Sequence, residues 1–127
     1  MSQAPLIGVR AGQDVCWDRV VFDVNGPVGG YHVAYVAQVT GIASGTVIPT
    51  PGGARLQVTV RDPANARPAL PSVSGFRTLR SVTYAGSFEG LTSFGVGTRA
   101  RLPFRVFTLP GPGSHSRLVL DVEHLWY

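Results

Sequence analysis

Apolar residues in this chain recur at every second position, and they show no helical spacing over any useful length. In RLQVTVR, Leu56, Val58 and Val60 alternate with Arg55, Gln57, Thr59 and Arg61. Successive side chains of a strand point to opposite faces, so this pattern describes a strand with one buried face and one wet face. WDRVVFDV repeats it, with Val20, Phe22 and Val24 together and Arg19 and Asp23 across from them. RLVLDVE places Leu118, Leu120 and Val122 on one face, with Arg117, Asp121 and Glu123 among the polar positions. GYHVAYVAQV puts Tyr31, Val33, Tyr35, Ala37 and Val39 on a common face.

Further strands are predicted at 6–10, 78–85, 88–96 and 104–109. Segments rich in Gly, Pro, Asn and Ser separate them, at 25–30, 44–53, 62–72 and 110–116. About eight short strands at this spacing predict an all-β fold, an eight-stranded β-sandwich, with a small closed or partly open β-barrel as the alternative. The 127 residues suffice for one domain spanning 1–127, which buries roughly two-thirds of the surface its unfolded chain exposes. DPANARPALPS, residues 62–72 with three prolines, is expected to be an exposed loop between two halves of that domain.

Charge excludes several function classes. The net charge is +4 and all 11 basic residues are Arg. Nucleic-acid binding needs clustered cations to neutralise phosphates, and here only Arg99, Arg101 and Arg105 sit close together in sequence. No nucleic-acid partner is expected; the basic balance suits an anionic wall polymer or membrane surface instead. Residues 24–54 carry no Asp, Glu, Lys or Arg, yet Gly, Pro, Asn, Gln, Ser and Thr interrupt them throughout, so no integral membrane span is expected. MSQAPLIGVR has neither a basic region nor a continuous apolar run of the export type. That reads either as a cytoplasmic chain or as a trimmed mature domain behind an added Met. The single cysteine, Cys16, excludes an internal disulfide and is expected to be a buried, inert thiol.

Three motifs dissolve on inspection. Gly95-Val96-Gly97-Thr98-Arg99-Ala100 has the letters of a dinucleotide fingerprint, but Pro103 stands where the helix that meets the pyrophosphate must run. A strand ending in a glycine turn is expected there. His32, His115, His124 and Cys16 have no paired-ligand spacing, so neither a metal nor any other cofactor is expected. Ser114-His115-Ser116 has no strand-to-helix elbow and no orienting acid in sequence. Aromatic side chains such as Tyr31, Tyr35, Tyr84 and Trp17 are numerous enough for a sugar-binding surface, although strand aromatics are commonly core. Trp126-Tyr127 is expected to pack the C-terminus down.

The acids pose the sharper question. Asp18 lies on the apolar face of its strand with Cys16, Val20 and Phe22, and Glu89 shares a face with Leu91. A buried carboxylate must find a cation or several donors. Arg19, Arg80 and Arg105 are the candidate partners, with Glu89 expected to pair with Arg105 or Arg19. Acid–base catalysis by two such carboxylates in a cleft is the competing reading.

The run CWDRVVFDV, then GYHVAYV, then AGSFEGLTSFGVGTRARLPFRVF, then SRLVLDV resembles the actinobacterial AMIN-like domain from about Gly8 to Trp126. Its most specific parts are Asp18-Arg19-Val20-Val21-Phe22, Phe88-Glu89-Gly90 and Pro103-Phe104-Arg105-Val106. The resemblance implies a β-sandwich module of secreted or lipid-anchored envelope proteins, related to the AMIN domains that accompany cell-wall amidases and secretin pores. It carries over no catalytic residues. Asp18, Arg19, Glu89 and Arg105 match its motif positions, and with Arg99 and Arg101 they form the expected binding set. The expectation is a non-enzymatic envelope module that binds peptidoglycan or another envelope component, with its export signal or lipid anchor outside this sequence. Two rivals are a small-ligand or enzymatic β-barrel with an acid in its mouth, and a protein–protein adaptor working through a strand edge.

Overall fold

A computed structural model describes residues 4–125. Its elements are β1 (Leu6–Gln13), β2 (Trp17–Val24), β3 (Tyr31–Tyr35), β4 (Ala54–Val60), β5 (Leu79–Phe88), β6 (Leu91–Thr98), β7 (Phe104–Pro110) and β8 (Ser116–Glu123). They form two antiparallel sheets, β1-β2-β8-β7 and β3-β4-β6-β5. Each sheet keeps two edge strands, so the architecture is a sandwich and not a closed barrel.

Alternation does what the period of two requires. Asp18, Val20, Phe22 and Val24 of β2 point inward, as do Ala54, Leu56, Val58 and Val60 of β4. Phe22 from one sheet meets Phe94 from the other with ring centroids 5.0 Å apart. Leu102 from the β6–β7 connection and Val73 from the β4–β5 connection complete the same cluster. Burying each such side chain stabilises the fold by about 1.5–3 kcal/mol.

The two outer faces differ. The outer face of β3-β4-β6-β5 is covered by the β3–β4 connection, residues 36–53. Arg55 donates to the carbonyls of Ala37 and Gly52, Gln57 binds both backbone groups of Thr40, Ser81 donates to the Pro51 carbonyl, and Thr50 meets Thr83. The polar residues that alternation assigns to solvent therefore serve as anchors for this strap. Val39, fully buried, sits under it: a Cβ on Gly95 would come within 2.9 Å of the Val39 side chain. Val39 thus belongs to the strap and not to the face of β3, which ends at Tyr35.

Several expectations need correction. Gly95 and Gly97 lie inside β6 and do not form a turn; they are glycines because the strap crosses directly over them. The turn itself follows β6, between Thr98 and Phe104. It carries the chain from one sheet to the other, since β6 and β7 lie in different sheets. Residues 62–72 do not divide the fold into halves, because they link β4 to β5 around β6 within one sheet. Their start is buried, with Asp62 accepting the Gly29 amide at 2.9 Å and its carbonyl accepting Thr92 Oγ1 at 2.8 Å. Cys16 is exposed, in the β1–β2 turn. Tyr35 and Tyr84 do pack against the core. Trp126 and Tyr127 lie outside the described residues.

Candidate functional site

Registers place the site. On the outer face of β1-β2-β8-β7, Arg19 of β2 stands opposite Asp121 of β8, and Asp121 opposite Arg105 of β7. The three form one row across the sheet. Trp17 lies in the neighbouring row on one side, and Phe107 in the neighbouring row on the other.

Asp121 is fully buried on this outward face because two guanidiniums cover it. Arg19 binds it through Nε at 2.7 Å and Nη2 at 2.9 Å, and Arg105 through Nε at 2.9 Å. The Arg19 and Arg105 side chains remain 34% and 52% exposed, so both stay open to a ligand. The hydrogen bonds to Asp121 raise the Arg19 guanidinium above its ordinary value. Aromatic rings hold both cations: Arg105 lies 4.6 Å from the Trp17 ring and 5.3 Å from Phe107, and Arg19 5.9 and 5.6 Å from the same two. Both arginines bind Asp121, and Glu123 opposite Trp17 and the exposed Asp14, whose charge reaches Arg19, offset their positive charge. Beside the cluster, Gly12 faces Arg19, and a Cβ at Gly12 would meet nothing within 4 Å.

Further along the same face, Asp23 of β2, two rows from Arg19, forms a second fork with Arg10 of β1, which stands opposite Val21 in the row between, with Nε–Oδ2 at 2.7 Å and Nη2–Oδ1 at 2.8 Å. Arg117 of β8 stands opposite Asp23. Arg10, Asp23, Arg117 and His115 line one groove.

The expected binding set is split three ways. Arg19 and Arg105 come together, but on Asp121. Asp18 is inside, at the end of the sandwich where β2 begins, and its partners are not the arginines expected. Its Oδ2 accepts the backbone amides of Thr78 and Leu79 at 2.7 and 3.0 Å, and its Oδ1 pairs with His124 Nε2 at 2.9 Å. Asp18 on β2 thereby ties one sheet to the start of β5 in the other. Arg99 supports this knot by donating to the His124 carbonyl, while Arg101 lies 5.7 Å from the Tyr35 ring. Arg80 is spent on the carbonyls of Phe76 and Arg77.

Glu89 is the clear correction. It is exposed at the opposite end of β5, and no hydrogen bond or ion pair reaches it among the described residues. The reading that put Glu89 on the face of Leu91 takes 88–96 as one strand. In fact Phe88 pairs with Leu91 across a two-residue turn, in which Glu89 and Gly90 have φ of 50° and 81°. Two positive φ values are those of a type I′ hairpin turn, where Asn-Gly is favoured. Left-handed backbone costs most residues other than Gly, Asn and Asp roughly 1–2 kcal/mol. Glu89→Asn is therefore expected to stabilise the protein by about 0.5–1 kcal/mol. A rise in the urea midpoint checks this; a fall would restore a structural role to the glutamate.

Asp121, Trp17 and Phe107 were legible only in part. The patterns Trp17-x-Arg19 and Arg105-x-Phe107 show which side chains share a face, but only the register of three strands shows that they surround one carboxylate. The core between the sheets is filled by side chains such as Phe22, Phe94 and Leu56, so there is no barrel mouth to house a catalytic acid. Among the described residues no group of three His, Cys, Asp or Glu is arranged to hold a metal ion, and no helix is long and apolar enough to cross a membrane. The family model for the AMIN-like domain matches residues 4–124. No curated protein and no solved structure matches the chain.

Proposed function

The chain belongs to the AMIN-like domain family, and on that premise we propose that it is a non-catalytic module of the bacterial cell envelope that binds wall polymer through the outer face of β1-β2-β8-β7. Membership in the family associates the chain with the cell wall. The observation that supports this face is the pair of half-exposed arginines clamped on Asp121 between Trp17 and Phe107. A buried carboxylate and two rings restrict both guanidiniums, so little side-chain freedom is lost when a ligand binds. The opposite outer face is occupied by the 36–53 strap. Peptidoglycan in an extracellular or envelope location is the target, and no cofactor takes part.

Sedimentation with purified sacculi tests the proposal. The protein is expected to co-sediment at low salt and to be released as salt rises, because exposed charges are screened. Arg105→Glu reverses a charge while Arg19 still holds Asp121, and it is expected to weaken binding at least about tenfold, given that a hydrogen bond to a charged group is worth roughly 1.5–3 kcal/mol. Wild-type protein left in the supernatant at low salt would refute wall binding. Undiminished binding by Arg105→Glu would refute this face as the site.

A further inference from the structure

The same face carries two arginine clusters, and their spacing has a consequence for the ligand. Arg19, Asp121 and Arg105 form one; Arg10, Asp23 and Arg117 form the other. Each contains one carboxylate fork, but only in the first do both arginines bind the aspartate; in the second Arg10 alone binds Asp23, while Arg117 stands opposite it in register and donates Nη2 to the Pro110 carbonyl. Asp23 lies four residues beyond Arg19 on β2, which at about 3.3 Å per residue puts the rows of the two aspartates roughly 13 Å apart.

Resting on the wall-polymer reading above, we infer that this face is a two-point platform that takes two carboxylates of one extended anionic polymer, one at each cluster. Four arginines face Asp14, Asp23, Asp121 and Glu123, so the formal charges balance. But the side chains of Arg10, Arg19 and Arg105 are 61%, 34% and 52% exposed against 20% and 0% for Asp23 and Asp121, so at the two clusters the groups turned outward are guanidiniums, which an anionic polymer complements. Carboxylate is the matching group. Trp17 and Phe107 rings pack against the Arg19 and Arg105 guanidiniums, which favours approach along the guanidinium edge, where two parallel N–H···O bonds to a planar carboxylate form. Arg105 uses only Nε on Asp121, leaving both terminal nitrogens without a hydrogen bond among the described residues. The Nε of Arg117 also has no hydrogen-bond partner, but it is buried, so at the second cluster the exposed guanidinium is that of Arg10. Two linked contacts on one chain raise the apparent affinity well above that of either alone, so the loss of one cluster is felt as the loss of the linkage.

The test uses Arg105→Gln and Arg10→Gln, the more exposed pairing arginines of their clusters; Arg19 keeps Asp121 covered in the first variant. Thermal unfolding by circular dichroism verifies that both fold. Binding is measured by co-sedimentation with purified sacculi in three forms: untreated, amidated at their carboxyl groups by carbodiimide, and stripped of phosphodiester-linked polymers by hydrofluoric acid. Each variant is expected to bind untreated sacculi about tenfold more weakly than wild type. Amidation is expected to abolish wild-type binding and the acid treatment to leave it intact. Binding lost by Arg105→Gln but unchanged in Arg10→Gln would overturn the two-point platform while leaving the wall-binding function standing. Binding that survives amidation but not the acid treatment would overturn the carboxylate assignment in favour of phosphate. Failure of the wild-type protein to bind any sacculi would remove the function itself.

Discussion

Gly97→Ala is expected to destabilise the protein by about 3–5 kcal/mol, in the range reserved for severe packing defects. A Cβ at this position would lie 1.8 Å from the Pro51 carbonyl oxygen and 2.4 Å from Ser81 Oγ. The serine could rotate, although it would lose its 2.7 Å hydrogen bond to that carbonyl. The carbonyl belongs to the backbone of the strap and cannot swing aside alone. Residues 49–53 would have to lift, breaking the Arg55 contacts with Gly52 and Ala37 that hold the strap down. Gly12→Ala is the control, because its Cβ enters open space and its expected effect is within about 1 kcal/mol. Urea unfolding of the two variants makes the comparison. Equal stability of the two would mean that the strap does not lie on the sheet as described.

Asp18→Ala is expected to cost about 3–5 kcal/mol, because it removes a buried acceptor that holds three donors or partners at once. The carboxylate is fully buried and accepts from two backbone amides and pairs with His124, itself nearly buried. Alanine would leave both amides of Thr78 and Leu79 without an acceptor in a dry interior, and a buried unsatisfied donor costs roughly 1–3 kcal/mol. Asp18→Asn keeps an oxygen for the amides but turns an amide nitrogen, or a neutral oxygen, toward His124, so an intermediate loss of about 1–3 kcal/mol is expected. The ordering wild type, Asn, Ala in urea midpoint is the readout. A loss under about 1 kcal/mol for Asp18→Ala would show that this end of the sandwich does not depend on the knot between β2, β5 and His124. Because the knot is remote from the arginine row, wall binding by folded Asp18→Asn is expected to match wild type.

Asp18 and Glu89 show where sequence reading reached and where it stopped. Asp18 stood out because it interrupts the apolar face of β2, and the need for several donors followed from burial alone. Its donors did not follow: two are backbone amides some sixty residues away, and backbone groups carry no sequence signature. Glu89 looked equivalent to Asp18 on alternation. Ending one strand at residue 85 and starting the next at 88 produced the error: β5 runs on to Phe88 through an irregular stretch that includes Gly86, and the turn falls at Glu89-Gly90.

Alternation by itself determined the all-β class, the eight strands and the inward face of β2, β4 and β8, because a period of two is a local property of the backbone and needs no partner strand. The family resemblance was likewise carried by linear motifs. Tertiary structure alone decided which strands are neighbours, and with that everything about the site. Asp121 reads as one more solvated polar residue in RLVLDVE; it becomes a buried anchor only because β8 lies between β2 and β7, which bring Arg19 and Arg105 to its two sides. The glycines of β6 read as a turn until the strap is seen to cross them. Both depend on contacts between residues distant in sequence, and pairing and coverage of that kind are set by the packing of the whole chain.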